Sequence, residues 1–396
     1  MNIGIFTDTY YPEINGVVTS IKVLENELKN RGHKVYIFTT SNPLNTETKF
    51  GVIRLPSIPF VFFNSRRIGL FYSNKIANLV RKLKLDLVHT HTEFSLGILG
   101  KFVARQVGIP IIHTYHTLYK DYMHYISKDK FKNFSDNVVK LYTRRYCNTC
   151  NGVIVPTGKV YDLLRGYSVT KPIEIIPTGI EVNNFLEEYS EIELSNLKKS
   201  LGIHSKDKII LFIGRVAKEK SIDLIIKQMP QILEFIPNCK FLIVGGGPLE
   251  RDLKKLAKQL QIEKSIIFAG EQPFDQVGKF YAIGNVFISA SITETQGLTI
   301  AEAMASKIPV IVRRDENIEG FILNYSNGLV FSSNKEMVNA VVELLTNEKL
   351  CQKIKINAAR TIKEYSSQKF CERVETFYVR AMEREDAHVG EKICRE

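Results

Sequence analysis

Two glutamates around a glycine form the clearest chemical pattern in the sequence. Glu294 and Glu302 stand eight positions apart, with Gly297 between them. If a helix begins near Leu298, its free amides form an anion site suited to a diphosphate, and the two carboxylates can hold the hydroxyls of a sugar and a ribose. The same pair also fits carboxylates that favour a helix start on a solvated face. By itself the spacing leaves both interpretations open.

A basic loop and a glycine turn add to this chemistry in the same half of the chain. Arg215 and Lys220 follow a predicted strand that ends at Ile213, and the glycines of segment 245–248 follow the next strand. Arginine offers a fork of donors to phosphate oxygens and lysine a mobile charge, so the two could neutralise a leaving diphosphate. Glycines at a turn allow close approach of a nucleotide. A solvated basic loop and an ordinary tight turn are the alternatives.

Strands and helices must bring these groups to one edge of a sheet. A βαβ unit opens the chain, with strand Asn2–Phe6, a helix that stops at Gly32 and a second strand. Further buried strands are predicted at 85–89 and 110–113, and a second alternation of strands and helices starts at Lys208. The sequence therefore predicts an α/β protein of two Rossmann-like domains whose parallel sheets face each other across a cleft, where ligands bind.

The domain boundary is expected where the pattern is interrupted. Prolines and a glycine break it between Tyr167 and Asn184, and no long linker is present. We place the N-terminal domain at 1–172 and the C-terminal domain at 173–369. A C-terminal amphipathic helix, at about 370–396, is expected to pack back on the first domain.

Composition sets the broad class of the protein. The chain has 396 residues, of which 44% are hydrophobic and 24% charged, so two packed domains are expected. It contains no uncharged apolar run of membrane-spanning length and does not begin like a signal peptide, which favours a cytoplasmic location. Six cysteines are too few for a disulfide scaffold, and we interpret them as ordinary thiols rather than metal ligands.

Positive charge is concentrated in the first half of the chain. All of the net charge of +12 lies in residues 1–170, and no acidic residue stands between Glu47 and Asp86. Such a field suits nucleic acid or an anionic membrane surface. Aromatic and basic residues in this stretch could enter a lipid interface, or could be core residues beside a solvated charge run. They are Phe60, Phe62, Phe63, Arg66 and Arg67. A second basic region comprises Lys128, Lys130, Lys132, Lys140, Arg144 and Arg145.

The order of the motifs along the chain resembles a known family. It is similar to that of the retaining glycosyltransferases of GT-B fold that carry the Glu-x7-Glu signature. The matching motifs are Pro12 with Gly16, Arg31-Gly32-His33, Gly214-Arg215 to Lys220, Gly245 to Pro248, and Glu294 with Glu302. The resemblance covers nearly the whole chain.

The resemblance implies roles for individual residues. Glu294 would contact the donor sugar, Glu302 the ribose hydroxyls, and Arg215 with Lys220 the diphosphate, while His116 would lie near the transferred sugar. The remaining donor-binding residues implied are Gly16, Gly247, Gln296, Gly297, Leu298 and Thr299. No metal and no cofactor would be required. The sequence departs from the family at Ser221, where glycine is usual, and at Asn285, where aspartate is usual.

A narrower resemblance is carried by segments 89–97, 113–126 and 314–320, which look like those of bacterial diacylglycerol glucosyltransferases. It implies transfer of a hexose, glucose first among the candidates, from a UDP-sugar to the 3-hydroxyl of diacylglycerol or of a glycosyl-diacylglycerol. Tyr119 would belong to the acceptor and membrane region. For His89, His91 and His124, satisfied polar residues at strand ends are the alternative.

The resemblance implies peripheral attachment to the anionic inner face of the cell membrane. A soluble sugar or sugar-phosphate acceptor is the nearest alternative, since it would need no membrane. A basic nucleic-acid-binding protein is the alternative from another class, but no nucleic-acid-binding motif is evident, so we expect no nucleic-acid partner. A membrane scaffold on an inactive enzyme fold is disfavoured because Arg215, Lys220, Glu294 and Glu302 are all present.

Overall fold

The computed structural model of the chain describes residues 1–13, 15–41, 50–60, 63–69, 73–116, 132–185, 189–291, 296–316 and 318–393. It divides into two compact units. The first unit is Met1–Gly179 with the C-terminal segment from Ser367, and the second is Ile180–Ser366. No helix within these described ranges is both long and apolar enough to cross a membrane.

The first unit is built on a parallel sheet of seven strands with a separate antiparallel hairpin. Its strands are β1 (Asn2–Phe6), β2 (Lys34–Thr40), β3 (Val52–Leu55), β4 (Ser57–Phe60), β5 (Phe63–Gly69), β6 (Leu87–Thr90), β7 (Ile111–Thr114), β8 (Gly152–Val155) and β9 (Ile173–Ile175). The large sheet has the order β3-β2-β1-β6-β7-β8-β9, and β4 pairs with β5. Its described helices are α1 (Gly16–Asn30), α2 (Ser73–Leu83), α3 (Ser95–Val107), α4 (Lys132–Asn148) and α5 (Gly158–Gly166).

The second unit repeats the architecture with a six-stranded parallel sheet of order β12-β11-β10-β13-β14-β15. Its strands are β10 (Lys208–Ile213), β11 (Cys239–Val244), β12 (Ile266–Gly270), β13 (Val286–Ser289), β14 (Val310–Arg313) and β15 (Leu329–Phe331). Its described helices are α6 (Glu191–Ser200), α7 (Ile222–Phe235), α8 (Glu250–Gln259), α9 (Val277–Ile283), α10 (Leu298–Ala305), α11 (Asn334–Thr346) and α12 (Glu348–Lys363). The last helix of the chain, α13 (Ser367–Ile393), belongs to the first unit.

Local sequence explains why these elements begin and end where they do. The Asn15 side chain caps α1 by accepting from the Val18 amide at 3.0 Å, and Gly32 follows the helix with a φ of 84°, which favours glycine. The central strands of both sheets read as continuous apolar runs, of which 209–213 is an example, because helices cover both faces. Each unit thus buries its own apolar core.

The C-terminal helix packs on the first unit through both apolar and polar contacts. Phe370 and Val374 lie in the same buried cluster as Ile3 and Ile5. The Tyr378 hydroxyl lies 2.6 Å from Nδ1 of the fully buried His89. A long-range hydrogen bond therefore ties the end of the chain to a central strand.

The predicted two-domain α/β fold with parallel sheets is confirmed, and most of the predicted strands and helices begin within one or two residues of the observed ones. The boundary differs in position. We predicted it between residues 172 and 173, but β9 pairs with β8 and so belongs to the first sheet. In the structure the division falls at Gly179, after that edge strand.

The contact between α13 and β6 gives a test of stability. Tyr378→Phe leaves a buried ring nitrogen of His89 without its partner, so we expect the free energy of unfolding of the first unit to fall by about 1–3 kcal/mol. Thr376→Ala, which removes an exposed hydroxyl from the same helix, is the control and should change it by about 0.5 kcal/mol or less. Urea unfolding measures both. Equal effects of the two changes would contradict the structural role of the Tyr378 hydroxyl.

Candidate active site

Three loops leave the carboxyl edge of the second sheet side by side. β11, β10 and β13 are neighbours in that sheet, so the segments that follow them start from one edge. These segments hold the predicted glycine turn, the basic loop and the start of α10. The predicted donor-binding residues of the second unit that fall within the described ranges therefore lie together at this edge of the sheet.

Close backbone contacts hold the loops after β10 and β11 against each other. The Val216 amide donates to the Gly246 carbonyl at 2.9 Å, and the Leu249 amide donates to the Val216 carbonyl at 3.1 Å. A Cβ atom on Gly247 would lie 2.3 Å from that same Val216 carbonyl oxygen, and one on Gly245 would lie 2.0 Å from the Gly214 carbonyl oxygen. Glycine is therefore required at both positions by the backbone packing.

The two cations of the basic loop that the sequence predicts to bind the diphosphate differ in exposure. Arg215 is exposed, and its guanidinium makes no hydrogen bond or ion pair within the described residues. Lys220 is half-buried at the end of a short 3₁₀ turn. The Ser291 hydroxyl donates to the Glu219 carbonyl at 3.1 Å, which fastens the loop after β13 to this turn.

Helix α10 begins where the sequence predicts an anion site. Gly297 precedes it with a φ of 73°, in the left-handed region, and is buried. Leu298 and Thr299, in the first turn, are half-buried, and so is Gln296. The Ile300 and Ala301 amides donate to the Gly297 carbonyl at 3.0 and 3.1 Å, so the amides of Leu298 and Thr299 before them are the ones that can meet an anion. Glu294 lies outside the described residues, and its predicted contact with the donor sugar stays a prediction.

Glu302 is buried one turn into α10, where the sequence places it. Its Oε2 accepts a hydrogen bond from the Tyr281 hydroxyl at 2.9 Å. Burial raises the pKa of Glu302 to about 7, against which the hydrogen bond from Tyr281 acts. Tyr281 could not be predicted from the sequence, because it lies on α9, twenty-one positions away, among apolar residues that give no sign of a functional partner.

The two departures from the family pattern differ in their local consequences. Ser221 adopts a φ of 51° between Lys220 and α7, a conformation that glycine takes without cost and that costs other residues about 1–2 kcal/mol. Asn285 accepts from the Ile209 amide at 2.8 Å through Oδ1. An aspartate carboxylate could accept the same bond, so the amide oxygen preserves this contact at the start of β10.

His116 follows the end of β7 in the first unit. Its Nε2 lies 2.9 Å from Nδ1 of His91, and the two ring planes are inclined by 23° with centroids 5.1 Å apart, so the rings meet edge to edge. Burial lowers the pKa of His116 to about 3, and the charge of His113 contributes in the same direction as the smaller cause. This imidazole is therefore neutral at physiological pH.

The other histidines differ in how well they are satisfied. His89 has partners at both nitrogens, Tyr378 and Thr114, and so fits the alternative of a satisfied polar residue. His91 does not, because its buried Nε2 makes no hydrogen bond within the part of the chain that the structure describes. His124 lies outside that part.

The remaining predicted residues lie elsewhere in the first unit. Gly16 is exposed as the first residue of α1. Phe60 belongs to β4 and Phe63 and Arg66 to β5, while Phe62 and Tyr119 lie outside the described residues. The Arg67 guanidinium is half-buried and donates to the Ser57 hydroxyl and carbonyl, both at 2.8 Å, so it fastens the hairpin.

Among the described residues, the cysteines and the other side chains that can ligate metals form no metal site. Cys147 and Cys150 are buried, and burial raises the pKa of both thiols. Within the described ranges, no group of three or more His, Cys, Asp or Glu side chains is arranged to hold a metal ion.

Comparison with known proteins identifies the family. Residues 195–361 match the family described as glycosyl transferases group 1, and residues 14–184 match glycosyltransferase family 4. The chain is 38% identical over 386 residues to an alpha-monoglucosyldiacylglycerol synthase of Streptococcus pneumoniae, covering 96% of this chain and 86% of that protein. The chain belongs to the GT-B glycosyltransferases. The predicted family and enzyme class are thereby confirmed.

A second relative and a solved structure agree with this assignment. An alpha-monoglucosyldiacylglycerol synthase of Acholeplasma laidlawii is 36% identical over 403 residues, which cover 99% of this chain and 100% of that protein. HepE of Anabaena, solved in complex with UDP, superposes on the glycosyltransferase with a TM-score of 0.76 at 15% identity, covering 95% of this chain and 99% of HepE. At that identity the likeness supports the fold alone.

The raised pKa of Glu302 predicts a pH-dependent stability difference. Because the pKa of Glu302 is about 7 in the folded protein and 4.5 for an ordinary glutamate, the free energy of unfolding of the wild type falls as pH rises between these values. Glu302→Gln removes this ionisation. We expect the free energy of unfolding of the variant, relative to that of the wild type, to rise by on the order of 3 kcal/mol between pH 4.5 and 7 and to change no further at higher pH.

Thermal or urea unfolding from pH 4.5 to 8 measures the effect. Glu263→Gln, at an exposed carboxylate of the same unit, is the control and should show no growing difference. A constant difference between Glu302→Gln and the wild type across this range would contradict the burial of an ionisable Glu302.

Proposed function

We propose that this glycosyltransferase transfers glucose from UDP-glucose to the 3-hydroxyl of diacylglycerol, and that the product keeps the α configuration of the donor. The observation that carries the proposal is the 36–38% identity, over nearly the whole chain, to two alpha-monoglucosyldiacylglycerol synthases. The arrangement of groups at the carboxyl edge of the second sheet supports a nucleotide-sugar donor at that edge.

Two cations and the amides at the start of α10 are available to bind the diphosphate. Arg215 is exposed beside the glycine turn, Lys220 ends the same loop, and the first turn of α10 offers amides from the neighbouring loop. Two positive side chains can balance the charge that develops on a departing diphosphate. We therefore propose that the reaction requires neither a metal ion nor a cofactor.

Glu302 is placed to bind the ribose. Its Oε2 is held by Tyr281, while Oε1 makes no hydrogen bond within the described ranges and can accept from a sugar hydroxyl. Two ribose hydroxyls would favour the ionised carboxylate and offset the burial that raises its pKa. The ribose thus gains a strong acceptor at a carboxylate that is only 7% exposed.

The proposed chemical step is a front-face displacement. The acceptor hydroxyl oxygen bonds to the anomeric carbon as the bond from that carbon to the phosphate oxygen breaks, and the hydroxyl proton passes to that departing oxygen. Retention follows because attack and departure occur on the same face. In this proposal His116, which is neutral, contributes a hydrogen bond near the transferred sugar and not a positive charge.

A face of the first unit supports peripheral binding to an anionic membrane. Exposed apolar residues repeat along α3 and along its neighbour α4, and we call this surface the α3–α4 face. Its apolar members are Phe94, Ile98, Phe102, Val138, Leu141 and Tyr142, each more than 40% exposed. Its exposed cations are Arg105, Lys140, Arg144 and Arg145.

The two helices that form this face are held side by side. Lys101 on α3 donates to the Tyr146 carbonyl on α4 at 2.7 Å, and the Tyr142 hydroxyl donates to the Glu93 carbonyl. Aromatic side chains beside cations suit the interface between lipid tails and anionic headgroups. We propose that this face, together with the β4–β5 hairpin, rests on the membrane from which diacylglycerol is drawn.

Donor and acceptor are tested by transfer from labelled UDP-glucose, UDP-galactose and GDP-glucose to diacylglycerol in mixed micelles. We expect α-glucosyl-diacylglycerol from UDP-glucose, and a loss of kcat of about a hundredfold in Arg215→Ala because the diphosphate charge is left unbalanced. Lys218→Ala, an exposed cation of the same loop, is the matched control and should change kcat less than about threefold. Donor hydrolysis without any lipid product would instead favour a soluble acceptor.

Membrane binding is tested by sedimentation with vesicles that contain anionic phospholipid. Phe102→Ser should weaken binding at least about tenfold, because burying a phenylalanine in the interface contributes about 1.5–3 kcal/mol. Replacing Arg144 and Arg145 by Gln should weaken binding at low salt, with a smaller effect at high salt.

The matched control is Ile356→Ser, since Ile356 on the second unit is 55% exposed and Phe102 is 54% exposed. Equal binding of Phe102→Ser and Ile356→Ser would exclude the α3–α4 face as the membrane contact.

A further inference from the structure

Buried histidine rings run through the interior of the first unit and end at His116. The ring of His89, bonded to Tyr378 and Thr114, lies with its centroid 4.1 Å from that of His91. His91 is bonded in turn to His116 through Nδ1, and only 2% of its surface is exposed. His116 is less buried than His91 and stands at the outer end of this row.

The bond between His91 and His116 fixes one proton between two neutral rings. Burial lowers the pKa of His91 well below its usual value, aided by the charges of His89, His116 and His113, and burial lowers that of His116 to about 3. A hydrogen bond between two neutral imidazoles needs one N–H donor and one bare nitrogen. The tautomer of either ring therefore determines the tautomer of the other.

The buried Nε2 of His91 indicates which ring is the donor. It makes no hydrogen bond within the described part of the chain. If it carried the proton, an N–H group would be buried without an acceptor, which native structures tolerate less well than an unpaired acceptor. The favoured arrangement places the His91 proton on Nδ1, from which it is donated to Nε2 of His116.

This arrangement leaves the outer nitrogen of His116 protonated. With Nε2 accepting from His91, the proton of a neutral His116 must be on Nδ1. Nδ1 makes no hydrogen bond to any described residue, and His116 is partly exposed. The ring thus presents an N–H donor and no basic lone pair at its free nitrogen.

We propose that His91 is a positioning residue that fixes the tautomer of His116, so that His116 donates a hydrogen bond from Nδ1 to an oxygen of the transferred sugar. The proposal rests on the proposed function, which places His116 near that sugar. It excludes His116 as the base that takes the acceptor proton, and it agrees with transfer of that proton to the departing phosphate oxygen. It also gives a role to His91, a buried histidine of which only Nδ1 has a hydrogen-bond partner within the described residues.

The tautomers are measured first on the substrate-free enzyme, by ¹⁵N-detected NMR of labelled histidine. We expect His116 to be protonated at Nδ1 in the wild type. In His91→Leu, which removes the donor, the Nε2 signal of His116 should lose the shift of a bonded acceptor. Protonation of His116 at Nε2 in the wild type would overturn the proposal.

Kinetics then separate positioning from structural support. His91→Leu should lower kcat about 10- to 100-fold with little change in KM, as partners that orient a functional histidine do. His91→Asn, whose amide can donate from nearly the same position as Nδ1, should restore kcat to within about threefold of the wild type. The double variant with His116→Ala should be no slower than His116→Ala alone, because both changes remove the same contact.

The outcomes distinguish this inference from the proposed function. If the wild type makes no glucolipid but shows the expected tautomers, the proposed function fails while the pairing of His91 and His116 holds. If the wild type transfers glucose but the losses in the double variant multiply, or His91→Asn is as slow as His91→Leu, the positioning role is wrong. Melting temperatures of all variants identify any loss that comes from unfolding.

Discussion

The contact between the loops after β10 and β11 is the constraint on which the proposed donor site depends. The Val216 amide and carbonyl both bond to the glycine turn or to the residue after it, and Gly245 and Gly247 leave no room for a side chain. This packing fixes the basic loop that carries Arg215 and Lys220. Through Ser291 it extends to the loop that precedes α10. A parallel sheet supplies the shared edge, and glycine allows its loops to approach each other closely.

Buried polar groups in both units are held by specific partners. Glu302 accepts a hydrogen bond from Tyr281, and His89 is hydrogen-bonded to Tyr378 of the last helix of the chain. Burial acts on both groups in the same way, because it disfavours the charged form and so raises the pKa of the glutamate and lowers that of the histidine. In the proposed mechanism, ribose hydroxyls complete the environment of Glu302, and neutral His116 offers a hydrogen bond. Positive charge is then left to Arg215 and Lys220.

Sequence reasoning predicted the fold well because its signals are local. The apolar run of β10 and the glycine after α1 depend on neighbours in the chain, and so does the placement of Arg215 after a strand. It could not find Tyr281 or the bond between His91 and His116, because those partners meet only after the sheets form. The boundary was placed too early because β9 has three residues and its assignment depends on pairing with β8. The sequence did not reveal the exposed Phe94 and Phe102 at and in α3, since exposure is a property of the folded unit.

Hydrogen–deuterium exchange of the full chain, with and without UDP, tests whether the donor binds at the carboxyl edge of the second sheet. We predict slower exchange in peptides that cover 214–222, 245–249 and 296–302, and the same protection with UDP-glucose. Arg215→Ala should reduce this protection at a fixed concentration of UDP, whereas Lys218→Ala should not. Protection confined to the first unit, or none in these three segments at saturating UDP, would contradict binding of the donor at this edge.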